Sequence, residues 1–298
     1  MNSSNTSVRK SSLVASLLFL ITSGLMAQTI HFAALPGSEG KTSSSACVRV
    51  DNEGTIATVV ELHSDPKKAV LHIGEKKIPL TYVVNNMESR VAIYKLPEGS
   101  KDEVKNLAVL APSHGLKPAQ SVYTSATDRT EVSSVVGRVY RFQGKVLPLA
   151  VLRANHSSKA PVLGSGIYNA DGKLVAMVRQ AVYNNPNSSY CLPAEVITRI
   201  MADHKRNGRV SRCWIGIIMD ELVAPPIIES VRPDSPAKKA GLKNGDIILS
   251  IGGQQVKEYA EVVDAFFYLV AGESKKFSVL RGTKVMEFDV TPEVSPGR

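Results

Sequence analysis

The stretch Asp234-Ser235-Pro236-Ala237-Lys238-Lys239-Ala240-Gly241-Leu242-Lys243-Asn244-Gly245-Asp246-Ile247-Ile248, with Ile251-Gly252-Gly253 just after it, decides the fold of the C-terminal region. Each part has a mechanical reading. Ser235 offers a side-chain oxygen to the first free N–H groups of a helix, and Pro236 suits the first helical position. Gly241 stops that helix in a left-handed conformation. Gly245-Asp246 then turns the chain into a strand that buries Ile247 and Ile251.

Around this unit the pattern alternates. Strands are expected at 214–219, 227–231, 246–251, 276–281 and 285–290. A helix is expected over 258–270, where Tyr259, Val262, Val263, Phe266, Phe267, Leu269 and Val270 cover a wide apolar face. Upstream, Val196, Ile197, Ile200 and Met201 recur at helical spacing within 192–204, with Pro193 in the first turn and Asn207-Gly208 ending the helix. Residues 45–180 differ: short β-branched runs, with Asp171-Gly172 as the clearest hairpin turn. Strands of this length and spacing predict a sandwich or barrel.

Composition bounds the function. The chain has 298 residues, 43% hydrophobic and 21% charged, which excludes a mainly disordered protein. Residues 1–27 read as an export signal: Arg9 and Lys10, an apolar run over 13–21, a break at Thr22-Ser23-Gly24, and Ala27 before the cut. The run is too short to span a bilayer, so after cleavage no membrane span is expected. An uncleaved anchor is the alternative. The formal net charge is +9. Residues 28–212 hold 24 basic and 15 acidic side chains, residues 213–298 hold 10 and 12. The cations are scattered in pairs such as Lys67-Lys68 and Lys76-Lys77, a solvated surface and not a nucleic-acid track. The densest group, Lys205-Arg206 with Arg209 and Arg212, falls in the expected linker. Neither a cofactor nor a metal is expected: His31, His72, His114, His156 and His204 lack metal-site spacing. Cys47, Cys191 and Cys213 allow one disulfide in any of three pairings.

The stretch at 234–253 resembles the signature of bacterial PDZ domains. That resemblance implies a module that binds extended peptide ends by adding a strand at a sheet edge. Trp214-Ile215-Gly216-Ile217 matches the family's carboxylate loop, so backbone N–H groups around Gly216 would receive a peptide carboxylate and Ile217, Ile218 and Met219 would pair with the peptide. The helix at 258–270 would form the other wall, with either Val263/Phe267 or Val262/Phe266 facing the groove. Plain core packing is the alternative role for each of these side chains.

Export signal, barrel, linker helix and PDZ module in this order resemble the HtrA (Deg) serine proteases. The resemblance covers roughly residues 46–290. It implies a mainly β fold: a chymotrypsin-like double β-barrel over 46–208, then PDZ over 209–292, with a leader at 28–45 and a tail at 293–298. Family members carry His, Asp and Ser in that chain order. The His motif aligns on residues 51–62 and puts Glu61 at the His position. The Asp motif aligns on Arg90-Val91-Ala92-Ile93-Tyr94-Lys95 and puts Arg90 at the Asp position. The nucleophile motif aligns on Pro161-Val162-Leu163-Gly164-Ser165 and puts Leu163 at the Ser position. Leu163 is no nucleophile, so Glu61 has nothing to activate. Arg90 would repel an imidazolium. Pro161 lacks the N–H that would complete the oxyanion hole. A pseudoprotease is therefore expected, binding peptides or protein C-termini in the periplasm or outside the cell, with an active HtrA relative as a further partner and a trimer as the family's usual assembly. The rival is an active endopeptidase with a shifted Ser165/His63 site. A two-residue shift moves a side chain about 6.6 Å along a strand, against a hydrogen-bond reach of about 2.6–3.2 Å.

Overall fold

The computed structural model describes residues 31–37, 41–104, 107–125 and 130–296. The expected signal at 1–27 lies outside the described residues. The first sheet has seven strands: β1 (His31–Pro36), β2 (Thr42–Arg49), β3 (Thr55–Val59), β4 (Val70–Ile73), β5 (Lys76–Pro79), β6 (Thr81–Asn86) and β7 (Val91–Lys95), in the order β5-β4-β1-β2-β3-β7-β6. The segment expected as a leader supplies β1 and the first half of β2. Ala33 and Leu35 alternate inward from β1 and are fully buried, which is the reason this stretch joins the sheet.

Strand β3 is buried along its whole length because both of its faces are covered. Ile56 faces a core shared with Leu35, Leu71, Tyr94 and Leu96. Ala57 and Val59 face a second core shared with Leu149, Met177, Leu192, Val196, Ile197 and Ile200 of the following domain. That domain is a closed six-stranded barrel of β8 (Ser121–Ser125), β9 (Thr130–Phe142), β10 (Lys145–His156), β11 (Gly166–Tyr168), β12 (Leu174–Val182) and β13 (Asn185–Pro193), ordered β10-β13-β12-β11-β8-β9. Val122, Leu152, Ile167, Val175 and Val178 fill it.

Helix α1 (Glu195–Asn207) follows, and Gly208 closes it at φ 68° with its N–H on the His204 carbonyl. Pro193 is not in its first turn. The proline ends β13, and the helix starts two residues later.

The C-terminal unit contains β14 (Cys213–Trp214), β15 (Ile217–Met219), β16 (Ile228–Val231), α2 (Pro236–Ala240), β17 (Ile247–Ile251), β18 (Gln254–Gln255), α3 (Tyr259–Phe267), β19 (Lys275–Arg281), β20 (Lys284–Val290) and β21 (Glu293–Val294). In its opening signature the caps form as expected, but of the two residues expected to be buried only Ile251 is; Ile247 is half-buried and Ile248 takes the inward place. Ser235 caps α2 by accepting the Lys238 N–H, and Gly241 ends it at φ 95°. Asp246, fully buried, accepts two hydrogen bonds from the Arg281 guanidinium at 2.7 and 2.8 Å and one from the Lys243 N–H at 2.9 Å. These bonds hold its carboxyl below the usual range against the opposing effect of burial. Glu293 and Val294, expected in the tail, pair with β14.

The three cysteines sit in three different cores and form no disulfide with one another. Burial pushes the Cys47 and Cys191 thiols up to about 12. Among the described residues no helix is long and apolar enough to cross a membrane.

Candidate functional site

Two places combine the residues singled out by sequence: an open strand edge in the C-terminal unit, and the seam between the first sheet and the barrel.

At the edge, the expected single strand over 214–219 breaks into β14 and β15 because Gly216 turns the chain at φ 79°. The loop is pinned from behind. The Gly216 carbonyl accepts the Arg232 N–H at 2.8 Å, and the Ile215 carbonyl accepts the Ala237 N–H at 2.9 Å. A Cβ on Gly216 would overlap Ser235 Cβ and lie 2.9 Å from Ser235 Oγ, so only glycine fits. Trp214 is half-buried and Ile215 buried. Strand β15 pairs only with β16 among the described residues, which leaves its other edge open for an added strand. Ile217 and Met219 point into the core, and Ile218 points to solvent.

On helix α3, Val262 and Phe266 share a core with Ile217 and Met219. Of the two expected pairs, Val262/Phe266 belongs to this core, with Val262 fully buried. Phe267 is turned the other way, into the core between the first sheet and the barrel, with the Arg199 guanidinium 5.3 Å from its ring centre. Val263 is half-buried outside the groove's core. The physical reason is the docking of α3. Asp264, fully buried, accepts the Ala150 N–H of β10 at 2.9 Å and a Gln254 amide N–H at 3.2 Å. The side of the helix that carries Asp264 and Phe267 is thereby committed to the barrel.

At the seam, three loops converge. Ser45 Oγ is buried, 2.7 Å from the Val59 carbonyl and 3.2 Å from the Leu163 carbonyl. The Leu163 carbonyl accepts the Ala46 N–H at 2.7 Å, and the Val60 N–H donates to the Arg90 carbonyl at 2.8 Å. Gly164 holds φ 82°, and its N–H donates to the Val178 carbonyl at 2.8 Å. Glu61, Arg90 and Leu163 are thus assembled around one seam. Glu61 is exposed, Leu163 half-buried, and Pro161 half-buried at the start of the same loop.

Arg90 takes the left-handed φ of 62° and reaches across to donate from Nη2 to the Arg179 carbonyl at 2.7 Å. Burial lowers its basicity, with Glu61 pulling the other way.

Ser165 and His63 are not brought together. Ser165 Oγ is buried without a hydrogen-bond partner, whereas His63 is exposed beside Ser43 and Ser64. Sequence reasoning missed Ser45, Arg179 and Asp264. A charge at the end of the apolar run 174–178, and an acid on the apolar face of a helix, were the available signals for the last two.

Comparison with known proteins agrees with this architecture. The PDZ domain model matches residues 213–291. The chain is 28% identical over 207 residues to a probable periplasmic serine endoprotease DegP-like of Marinomonas sp. (strain MWYL1), covering 63% of this chain and 44% of that one. A protein of the same description from Pseudomonas putida (strain W619) is 23% identical over 267 residues, 83% of this chain and 55% of the relative. The chain therefore spans about half the length of the curated relatives it matches. Among solved structures, the HtrA-type protease AlgW with a decapeptide superposes at TM-score 0.59 and 16% identity, covering 91% of this chain and 97% of that one. AlgW with a tripeptide gives a TM-score of 0.62 at 16% identity, with 91% and 95% covered. The chain thus has a fold like that of the HtrA-type proteases, a C-terminal unit that matches the PDZ domain model, and sequence similarity to proteins described as probable periplasmic DegP-like serine endoproteases.

Proposed function

We propose that this chain is an exported, non-catalytic HtrA-like protein that captures peptide ends or unfolded envelope proteins through its PDZ domain. It would serve as a scaffold, an adaptor or a chaperone-like factor, alone or beside an active relative. The observation that carries this reading is the seam itself. Its backbone is held by the Ala46–Leu163 and Gly164–Val178 hydrogen bonds, yet the side chains it presents are Glu61, Arg90 and Leu163. None of them is a hydroxyl or thiol nucleophile, and a guanidinium stands where an imidazolium would need a carboxylate. The buried, unpartnered Ser165 Oγ argues against a shifted nucleophile.

The binding half of the proposal rests on the open β15 edge and the Gly216 loop. In a titration of the full chain with labelled peptides, those with a free C-terminal carboxylate are expected to bind at least about tenfold more tightly than their amidated forms, a difference of about 1.4 kcal/mol. Gly216→Ala is expected to remove that difference, because the loop must move to admit the new methyl group. A diverse C-terminal library with no member binding above background would overturn the binding half.

A further inference from the structure

Arg90 and Arg179 are neighbours at the seam, and neither has an ion-pair partner among the described residues. Arg90 precedes β7, and Arg179 lies in β12 just beyond the buried run 174–178. The Arg90 Nη2 bond to the Arg179 carbonyl fixes the two residues against each other at 2.7 Å. The Nε atoms of both are buried and unpartnered. Among the described residues the Arg179 side chain has neither a hydrogen-bond acceptor nor an ion-pair partner. Burial lowers the basicity of Arg179, and the neighbouring charge of Arg90 lowers it further. Glu61 acts on Arg90 from a distance without forming an ion pair. A half-buried cation with no counter-charge is unfavourable, and two side by side are more so.

We propose that Arg90 and Arg179 form a receptor for one carboxylate at this seam. Both side chains keep part of their surface open to solvent, so an anion can approach them. A guanidinium presents parallel N–H donors that match a carboxylate's two oxygens. The charge count selects the ligand class. Arg90 and Arg179 against Glu61, which acts on Arg90, leave one net positive charge, which a single carboxylate neutralises and a phosphate dianion exceeds. The carboxylate can come from a polypeptide lying along the seam or from a free small acid. The inference stands on the two arginines and not on the absence of proteolysis, so either can fail alone.

The test follows the arginine Nε–H signals of the full chain by NMR during titration with sodium acetate or sodium phosphate at constant ionic strength. The signals lost in Arg90→Gln and Arg179→Gln identify the pair. Both are expected to shift saturably with acetate, at a half-saturation at least tenfold below that of phosphate. Arg179→Gln, in a chain whose other signals are unchanged, is expected to raise the acetate half-saturation at least tenfold, and Glu61→Gln to lower it. In a Gly216→Ala background, which silences the PDZ loop, an amidated peptide with one Glu side chain distinguishes a polypeptide source from a free acid. It binds more tightly than acetate in the first case and no better in the second. Linear, non-saturating shifts, or saturation unchanged in Arg179→Gln, would overturn the receptor.

Discussion

Gly164→Ala is expected to destabilise the protein by about 4 kcal/mol or more, the range reached only by severe core defects. Two costs combine. The left-handed φ of 82° disfavours any side chain by about 1–2 kcal/mol. The new Cβ would also overlap the Ala46 carbonyl oxygen and lie 2.5 Å from Ser45 Oγ. Neither neighbour can retreat freely. Ala46 is the residue whose N–H holds the Leu163 carbonyl, and Ser45 Oγ accepts from Thr58 Oγ1 at 2.8 Å. Denaturant unfolding checks this directly. Gly172→Ala is the control, since Gly172 has a similar φ of 72° but nothing within 4 Å of the added carbon. A loss of about 1 kcal/mol there and several at Gly164 separates steric exclusion from backbone strain. Equal losses at the two sites would remove the close approach from the account.

Asp264→Ala is the second large effect, about 3 kcal/mol. The carboxylate is fully buried, and its removal leaves the Ala150 N–H without its acceptor in the docked interface. It also strips Arg138, 3.9 Å away and mostly buried, of its nearby negative charge. Asp264→Asn keeps an oxygen for Ala150 and is expected to lose less. Unfolding in denaturant gives the magnitude. Faster proteolytic cutting of the 208–213 linker in Asp264→Ala would show that the PDZ unit has come off the barrel. A loss in Asn as large as in Ala would mean that the charge, not the acceptor, holds the helix down.

Local chemistry explains which features were legible in the sequence. Ser235, Pro236, Gly241 and Gly208 act on residues within a turn of themselves, so their caps could be read directly. The hairpin at Asp171-Gly172 is local in the same sense. Positions set by tertiary contact were not legible. The apolar face of α3 offers Val262, Val263, Phe266 and Phe267 at equivalent spacing, and tertiary contacts such as the bond from the Ala150 N–H to Asp264 turn Phe267 to the barrel. The stretch 28–45 has no strong periodicity apart from Ala33 and Leu35, and its described residues enter β1 and β2 because β4 and β3 flank that pair. Arg179 is invisible to spacing because its significance comes from Arg90, 89 residues away in sequence. Motif order is what proposes the seam, and the side chains at Glu61, Arg90 and Leu163 are what propose its chemistry.

The central claim, a protease fold whose seam performs no proteolysis, is tested most directly by incubating the full chain with unfolded casein while a parallel sample meets a fluorophosphonate serine probe. The account predicts intact casein and an unlabelled protein. Cleavage together with labelling that disappears in Ser165→Ala would contradict it, and would make Ser165 the nucleophile of an active endopeptidase.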